Sequence, residues 1–95
     1  MAAYIYGNIQ VTDPVAYEQY RARVPAVIAA HGGRYLVRGG AVKVLEGGAD
    51  AQRQVILEFP DMAALEAFYY SAEYQELAAM RQAAATGQLV AIQGV

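Results

Sequence analysis

The sequence contains no cysteine and only one histidine among its 95 residues. Without cysteine, disulfide bonds, thiolate chemistry and cysteine-ligated metal sites are excluded. A single histidine is too little for a zinc site, which takes three or four protein ligands. We therefore predict that the protein uses neither a metal nor a cofactor.

Charged residues are also scarce, at 17% of the chain against about 25% in an average globular domain. The net charge is −2 and the seven lysines and arginines are scattered. No basic stripe with interleaved aromatic residues is present, so nucleic-acid binding is not expected. Hydrophobic residues make up 57% of the sequence, which favours an apolar surface that a second chain would cover.

Long apolar runs are missing too, since none approaches the roughly 20 residues that cross a bilayer. The first ten residues lack the basic segment and apolar segment of a signal peptide. These absences predict a cytoplasmic protein without a membrane partner. The length predicts one domain, residues 1–95.

The first third of the chain has the pattern of a strand followed by a helix. Apolar residues alternate with polar ones over residues 3–11, which predicts a strand. Asp13 and Pro14 are suited to cap and begin a helix that runs to about Ala30. Pro25 interrupts this helix, but its apolar face continues, so we predict one kinked helix.

The middle of the chain predicts two further strands. After a Gly32-Gly33 helix end, a strand begins at Arg34, is disturbed by a bulge or turn at Gly39-Gly40, and resumes over 41–46. A hairpin loop is predicted at 47–52. A third strand then covers residues 53–59.

The last third predicts two consecutive helices and a final strand. Asp61 caps a helix over residues 62–70, and Ser71 caps a second helix over residues 72–85. Gly87 is expected to end this second helix, and residues 88–93 form the last strand.

The order of these elements is that of the ferredoxin-like βαββαβ fold, an α+β class with a four-stranded antiparallel sheet and helices on one face. The third and last strands carry apolar residues on both faces, whereas a sheet with one wet face alternates with polar residues. We therefore predict a twofold homodimer, with the two sheets packed in a dimeric α+β barrel.

The stretch HGGRYLVRGG, residues 31–40, resembles the signature of the domain-of-unknown-function family 1330, within the dimeric α+β-barrel superfamily. The likeness extends over essentially the whole chain. The family commonly has tryptophan where this chain has Phe68, so the indole N–H donor is lost here. Further matching residues are Tyr4 to Gly7, Val11-Thr12-Asp13-Pro14, Tyr17, Tyr20, Glu46-Gly47, Arg53, Val55, Glu58-Phe59-Pro60, Tyr69, Ser71, Tyr74-Gln75 and Arg81.

The resemblance implies the fold but not an activity. The wider superfamily includes cofactor-independent monooxygenases, haem-degrading enzymes, lactone isomerases and ligand-binding modules. The fold alone does not choose among these functions.

His31 and Arg81 are the two candidate catalytic residues. His31 is suited to acid–base chemistry near neutral pH, or it serves the C-terminus of the first helix. Arg81 shares a helix face with Tyr74, and a buried guanidinium needs a partner. That partner is an acid, such as Glu46 or Glu58, or an anionic ligand.

Candidate ligand-binding residues flank these two. Arg38 lies before the glycine pair, where bulges often re-aim side chains near functional sites, although a cross-strand ion pair of Glu46 with Arg53 would also account for the charges here. Ser71 is expected mainly to cap its helix, because no nucleophile elbow or His-Asp relay accompanies it. The full set of candidate ligand-binding residues is Tyr20, Arg38, Tyr69, Ser71 and Tyr74.

Two functions are consistent with the sequence. In the first, a pocket between sheet and helices binds a small anionic or aromatic molecule, Arg81 holds it, and His31 moves a proton in cofactor-independent proton-transfer or oxygenase-like chemistry. In the second, the protein is a non-catalytic dimeric ligand-binding or stress-associated module, and His31 and Arg81 are structural. The pocket of the first hypothesis is lined by Tyr20, His31, Tyr69, Tyr74 and Arg81.

Overall fold

The computed structural model describes residues 1–48 and 53–95. Three helices lie against one sheet, and α2 and α3 form one bent helical segment, so the order is the predicted βαββαβ. The elements are β1 (Ala3–Val11), α1 (Pro14–Ala30), β2 (Arg34–Arg38), β3 (Arg53–Phe59), α2 (Met62–Tyr69), α3 (Ala72–Ala84) and β4 (Ala85–Gln93).

The sheet has the strand order β2-β3-β1-β4, and each neighbouring pair is antiparallel. β1 is central, so that Ile5 lies opposite Leu57 of β3 and Ala91 of β4. The alternating residues Ile5, Ile9, Leu57 and Phe59 are buried in the core. This is the ferredoxin-like α+β arrangement that the sequence predicts.

The helix starts follow local capping chemistry. A side-chain oxygen of Asp13, Asp61 or Ser71 accepts the backbone N–H three residues further on, at 3.1, 2.7 and 3.1 Å. These bonds satisfy N–H groups that the first turn leaves unpaired. α1 continues through Pro25 as a single helix. All three predicted caps are therefore confirmed.

The predicted path after the second strand is wrong. β2 ends at Arg38, and residues 41–45 do not resume a strand within the described part of the chain. Gly39 has a φ of +69°, a conformation that turns the chain away and that glycine tolerates best. The irregularity in β2 lies earlier than predicted, where its register against β3 shifts between Tyr35 and Val37.

The predicted role of Gly87 is also wrong. α3 passes directly into β4 at Ala85, and Gly87 lies within the strand, opposite Ile9. Its φ is +135°, and a Cβ there would overlap the carbonyl oxygen of Asn8. Gly87 thus permits two strands to approach closely rather than ending a helix. The hairpin loop predicted at 47–52 extends outside the described residues.

The sheet face away from the helices carries an apolar patch. Its side chains include Tyr4, Tyr6, Ile56, Val90 and Ile92, which the pairing places side by side. Val90 and Ile92 are 43% and 49% exposed. None of the helices in the described part of the chain is long and apolar enough to span a membrane.

Candidate functional site

α1 and α3 run antiparallel over the sheet and enclose a cavity of about 40 Å³. The start of α1 meets the end of α3, where the N–H groups of Thr12 and Asp13 donate to the Ala84 carbonyl at 2.9 and 3.0 Å. Aliphatic core residues form much of the cavity wall. Its polar lining consists of Tyr17, Tyr20, Tyr35, Tyr74, Arg21, Arg53 and Arg81.

Tyr20, Tyr74 and Arg81 form a buried hydrogen-bonded group beside this cavity. The Tyr20 and Tyr74 hydroxyls are 3.0 Å apart, and Arg81 Nη1 donates to the Tyr74 hydroxyl at 2.6 Å. Arg81 is only 8% exposed. The sequence brings these residues together because Tyr74 and Arg81 lie seven residues apart on one face of α3, opposite Tyr20 of α1.

Three of the cavity tyrosines, Tyr20, Tyr35 and Tyr74, have raised pKa values and are neutral around pH 7. Burial raises the pKa of the Tyr20 phenol far above its ordinary value, and the adjacent Tyr74 adds to this shift. Burial also raises the pKa of Tyr74, although the Arg81 charge opposes the effect. Burial raises the pKa of Tyr35 to about 12. These phenols therefore offer hydrogen bonds but no negative charge to balance the arginines.

Arg81 has no carboxylate partner in the described residues. The ion pairs found there are Arg21–Glu18, Arg23–Glu76 and Arg34–Glu58. Glu58, one of the predicted partners, is thus bound to Arg34 at 2.8 Å. Of the described residues that line the cavity, none is acidic. The internal salt bridge, one of the two predicted states of Arg81, is not formed with Glu46, Glu58 or another acidic residue of the described ranges.

Arg53 is a cavity residue whose place in the site the sequence analysis missed. Its Cζ lies 5.8 Å from the centre of the Tyr17 ring, and its Nε is buried without a hydrogen-bond partner in residues 1–48 and 53–95. The ion pair considered with Glu46 is not present among these residues. A signal was available, since Arg53 alternates with Val55 and Leu57 and so belongs to the inward face of β3.

Arg38 lies on the surface near the cavity but does not line it. Its guanidinium stacks 4.6 Å from the Tyr35 ring centre, and Nη2 donates to the Arg21 carbonyl at 3.0 Å. A cation over an aromatic ring is held by the quadrupole of the ring. Arg38 therefore fixes Tyr35 against α1.

His31, Tyr69 and Ser71 lie outside the cavity lining. His31 Nδ1 is 3.0 Å from the Val27 carbonyl oxygen, and its ring packs edge-on against Phe68 at 5.9 Å. Ser71 Oγ donates to the Phe68 carbonyl at 2.8 Å in addition to capping α3. Of the predicted pocket residues, the structure places Tyr20, Tyr74 and Arg81 in the cavity lining. His31 and Tyr69 lie outside it, although the Tyr69 ring centre is 5.5 Å from that of Tyr74.

Leu89 of β4 lines the cavity and also borders two open clefts of about 310 Å³ each. One cleft lies between α2 and β4 and is bordered by Leu65, Tyr69 and Tyr70. The other lies beside the end of α3 and is bordered by Arg81. Within the described residues, no cluster of three or more histidine or acidic side chains could hold a metal ion.

The fold places the protein in the ferredoxin-like α+β class, and the cavity lies between its helices and its sheet. More specifically, the chain belongs to the family "Domain of unknown function (DUF1330)", whose model matches residues 2–95. The family resemblance of the signature stretch is thereby confirmed. No match was found among curated proteins.

Solved structures share the fold at low sequence identity. A protein of unknown function from Rhodopseudomonas palustris has a TM-score of 0.80 at 20% identity, covering 99% of this chain and 82% of that one. SnoaB, a cofactor-independent oxygenase from Streptomyces nogalater, has 0.64 at 16%, covering 99% and 93%. A dimeric ferredoxin-like protein of unknown function from Jannaschia sp. CCS1 has 0.63 at 16%, covering 100% and 99%.

Proposed function

We propose that the protein binds a small aromatic anion in the cavity between the α1–α3 pair and the sheet. The observation that carries this proposal is the buried guanidinium of Arg81, which is bonded to the neutral Tyr74 hydroxyl and to no carboxylate in the described residues. Burial of a cation without a counter-charge is costly. A ligand carboxylate, phenolate or enolate would supply that charge.

The walls of the cavity favour a planar ligand. Tyr17, Tyr20 and Tyr74 form a run of neighbouring rings, with centres 5.5 and 6.5 Å apart. Phe68 continues the run at 4.4 Å from Tyr74. Aromatic faces and edges pack well against another ring at these spacings. The ligand body is therefore aromatic, and its acidic group lies at Arg81.

The cavity must widen before such a ligand enters. A volume of about 40 Å³ holds a few waters, since one water occupies roughly 10–15 Å³ by this measure. Leu89 is the side chain that borders both the cavity and the two clefts. Rotation of Leu89 would join these spaces and give the ligand a path from the surface.

The chemistry that this site supports is stabilisation of an enolate or phenolate by Arg81. A positive charge in a desolvated site lowers the pKa of a bound acid, so the ligand would lose its proton on binding. The likeness to a cofactor-independent oxygenase is compatible with reaction of such an anion with oxygen. The acid–base role of His31 stays a prediction, because His31 lies outside the cavity lining.

The proposed functional unit is a homodimer. Val90 and Ile92 of β4 are exposed, and they share an apolar patch with Ile56 of β3. In a monomer this patch would face water. A solved neighbour that spans the whole chain is dimeric. Light scattering should give about twice the monomer mass of 10.2 kDa, and Val90→Lys should shift the protein to monomer. A wild-type mass near 10.2 kDa would contradict the dimer.

Ligand binding is tested by thermal shift with a set of aromatic carboxylic acids, phenols and enols. We expect at least one compound to raise the Tm of the wild type by several degrees, because binding to the native state alone adds stability. Arg81→Gln should lose the shift. The matched control is Arg23→Gln, whose side chain is 54% exposed and lies on α1.

Three outcomes separate the hypotheses. If no compound stabilises the wild type, the binding proposal fails. If Arg81→Gln and Arg23→Gln respond alike, binding occurs elsewhere. If a compound binds through Arg81 but no product forms in oxygenated buffer, the protein is a non-catalytic ligand-binding module, which is the second function that the sequence allows.

A further inference from the structure

We infer that Arg53 is a second anion-binding residue of the same cavity, and that the ligand therefore carries two acidic groups. This inference rests on the proposed binding function and names the class of ligand. It is carried by a different residue from Arg81, on a different element of the fold.

The guanidinium of Arg53 is unpaired in residues 1–48 and 53–95. A guanidinium has five N–H donors, yet no carboxylate, carbonyl or hydroxyl there accepts a hydrogen bond from Arg53, and its Nε is fully buried. Buried polar groups in folded proteins are nearly always bonded, so an exception needs an explanation. An anion in the cavity that Arg53 lines would accept these bonds.

Gly39 makes the room for this guanidinium. A Cβ on Gly39 would lie 2.7 Å from Arg53 Cζ, and the φ of Gly39 is +69°. On another side, the Tyr17 ring centre is 5.8 Å from the same Cζ. The group is thus held between a glycine turn and an aromatic ring. Gly39 therefore serves two purposes in the 31–40 stretch: it adopts a positive φ, and its lack of a side chain leaves space for Arg53.

Arg53 and Arg81 border one cavity from two sides. They are linked along its wall by Tyr17, whose ring neighbours Tyr20, and by the Tyr20–Tyr74 hydroxyl contact. Of the three arginines that line the cavity, Arg21 is paired with Glu18. Because no described lining residue is acidic, the charges of Arg53 and Arg81 face the same space without a counter-charge there. One carboxylate balances one arginine. An aromatic molecule with two acidic groups would balance both.

The inference is tested by calorimetric titration with benzoate and with phthalate, isophthalate and terephthalate, which place the second carboxylate at three separations. For the wild type we expect at least one dicarboxylate to bind tenfold or more tightly than benzoate. Arg53→Gln should remove this preference while benzoate still binds. Arg81→Gln should weaken benzoate and dicarboxylates alike.

Glycine variants test the same point without removing the arginine. Gly39→Ala should displace the guanidinium and lose the dicarboxylate preference, as Arg53→Gln does. Gly47→Ala is the matched control, because its φ is +80° but nothing lies within 4 Å of the added Cβ. Any folding cost of a left-handed alanine is therefore shared, and only the clash with Arg53 differs.

The outcomes are distinct. If the wild type binds benzoate and no dicarboxylate binds more tightly, the inference about Arg53 is overturned and the proposed function stands. If Arg53→Gln keeps the dicarboxylate preference, the inference is likewise overturned. If the wild type binds none of the four compounds, the inference about Arg53 is overturned, and the thermal-shift set of acids, phenols and enols decides the proposed function separately. Circular dichroism shows whether Gly39→Ala folds; if it does not, Arg53→Gln alone decides.

Discussion

At one end of the α1–α3 pair, Phe59 and Phe68 fill the space between helices and sheet with rings 5.1 Å apart. His31 closes this filled end, with its ring 5.9 Å from Phe68. At the other end, Arg53 and Arg81 border a cavity instead. We call this second region the cavity end. The packing at the filled end is so close that a Cβ on Gly33 would lie 2.5 Å from Phe59 Cε1.

The difference separates residues that stabilise the fold from residues that lower its stability. Phe59 and Phe68 are 0% and 1% exposed, and such burial contributes about 1.5–3 kcal/mol per side chain. The cavity end instead buries the Arg81 side chain and the Arg53 Nε without a counter-charge in the described residues, which opposes folding. Departures from good packing of this kind are expected at functional sites. This difference supports the proposal that the functional site lies at the cavity end.

The largest expected effect is at the filled end. Phe59→Ala removes a fully buried ring from close packing, so the free energy of unfolding should fall by about 3–5 kcal/mol. Urea denaturation measures the change. Val15→Ala, on a side chain that is 79% exposed, should stay within about 0.5 kcal/mol of the wild type. A loss below about 1 kcal/mol for Phe59→Ala would mean that this end is not close-packed.

The second effect is a loss of stability at high pH that arises at the cavity end. Burial raises the pKa of Tyr20, Tyr35 and Tyr74 in the folded state, whereas in the unfolded chain they ionise near pH 10. The contribution of these tyrosines to the free energy of unfolding is therefore fully present below pH 10. It is lost as the pH rises towards their folded pKa values, and the folded pKa of Tyr35 is about 12. Each such tyrosine contributes a slope of about 1.4 kcal/mol per pH unit.

Denaturation curves between pH 9 and 11.5 would measure this slope. Tyr35→Phe should make this slope smaller, because residue 35 then no longer releases a proton when the chain unfolds. Tyr70→Phe serves as control, since Tyr70 is 73% exposed. A stability that is level across this range would show that water reaches the cavity tyrosines freely, and the contrast between the two ends would lose its electrostatic basis.

The third effect is a gain in stability when a cavity-end charge is removed. Arg81→Met keeps the length and apolar stem of the side chain but removes the unbalanced cation, so the free energy of unfolding should rise by about 1 kcal/mol. The Tyr74 hydroxyl stays bonded to Tyr20 at 3.0 Å, so no buried group is newly unpaired. The same urea titration measures it, with Arg23→Met as surface control.

A fall of more than about 2 kcal/mol in the free energy of unfolding of Arg81→Met would contradict the proposed difference between the two ends. It would show that Arg81 stabilises the fold as the residues of the filled end do. A higher free energy of unfolding together with lost ligand binding would support the contrast between the two ends. It would show that the buried Arg81 charge lowers stability and is needed for binding.

The fold was predictable because its signals are local. Capping by Asp13, Asp61 and Ser71 depends on side chains within three residues, and strand alternation depends on neighbours two apart. The turn at Gly39 was predicted but the strand expected after it was not found in the described part of the chain, and the role of Gly87 was wrong. The surroundings of both glycines depend on contacts with Arg53 and Asn8, which lie far along the chain. A glycine pair signals an unusual backbone, but not which distant group requires it.

The candidate site was predictable only in part, for a related reason. Helical periodicity predicts that His31 and Arg81 lie on the inward faces of α1 and α3, and the structure agrees on this point. Periodicity does not give the direction of one helix relative to the other. Because α1 and α3 are antiparallel, the two residues lie towards opposite ends of the layer, and Arg53 rather than His31 shares the cavity with Arg81.

The smallest expected effect decides whether that separation is functional. His31→Ala removes a ring that contacts Phe68 and a hydrogen bond to the Val27 carbonyl at 3.0 Å, in a half-exposed position. The free energy of unfolding should fall by about 1 kcal/mol or less. Benzoate and dicarboxylate binding should be unchanged, because the filled end lies between His31 and the cavity. Calorimetric titration of this variant beside His31→Gln measures both affinities.

A tenfold loss of binding in both variants would contradict this expectation and place His31 in contact with the ligand. The ligand would then have to extend past Phe68 into the filled end. His31 would again be the candidate for the proton-transferring residue that the sequence predicts.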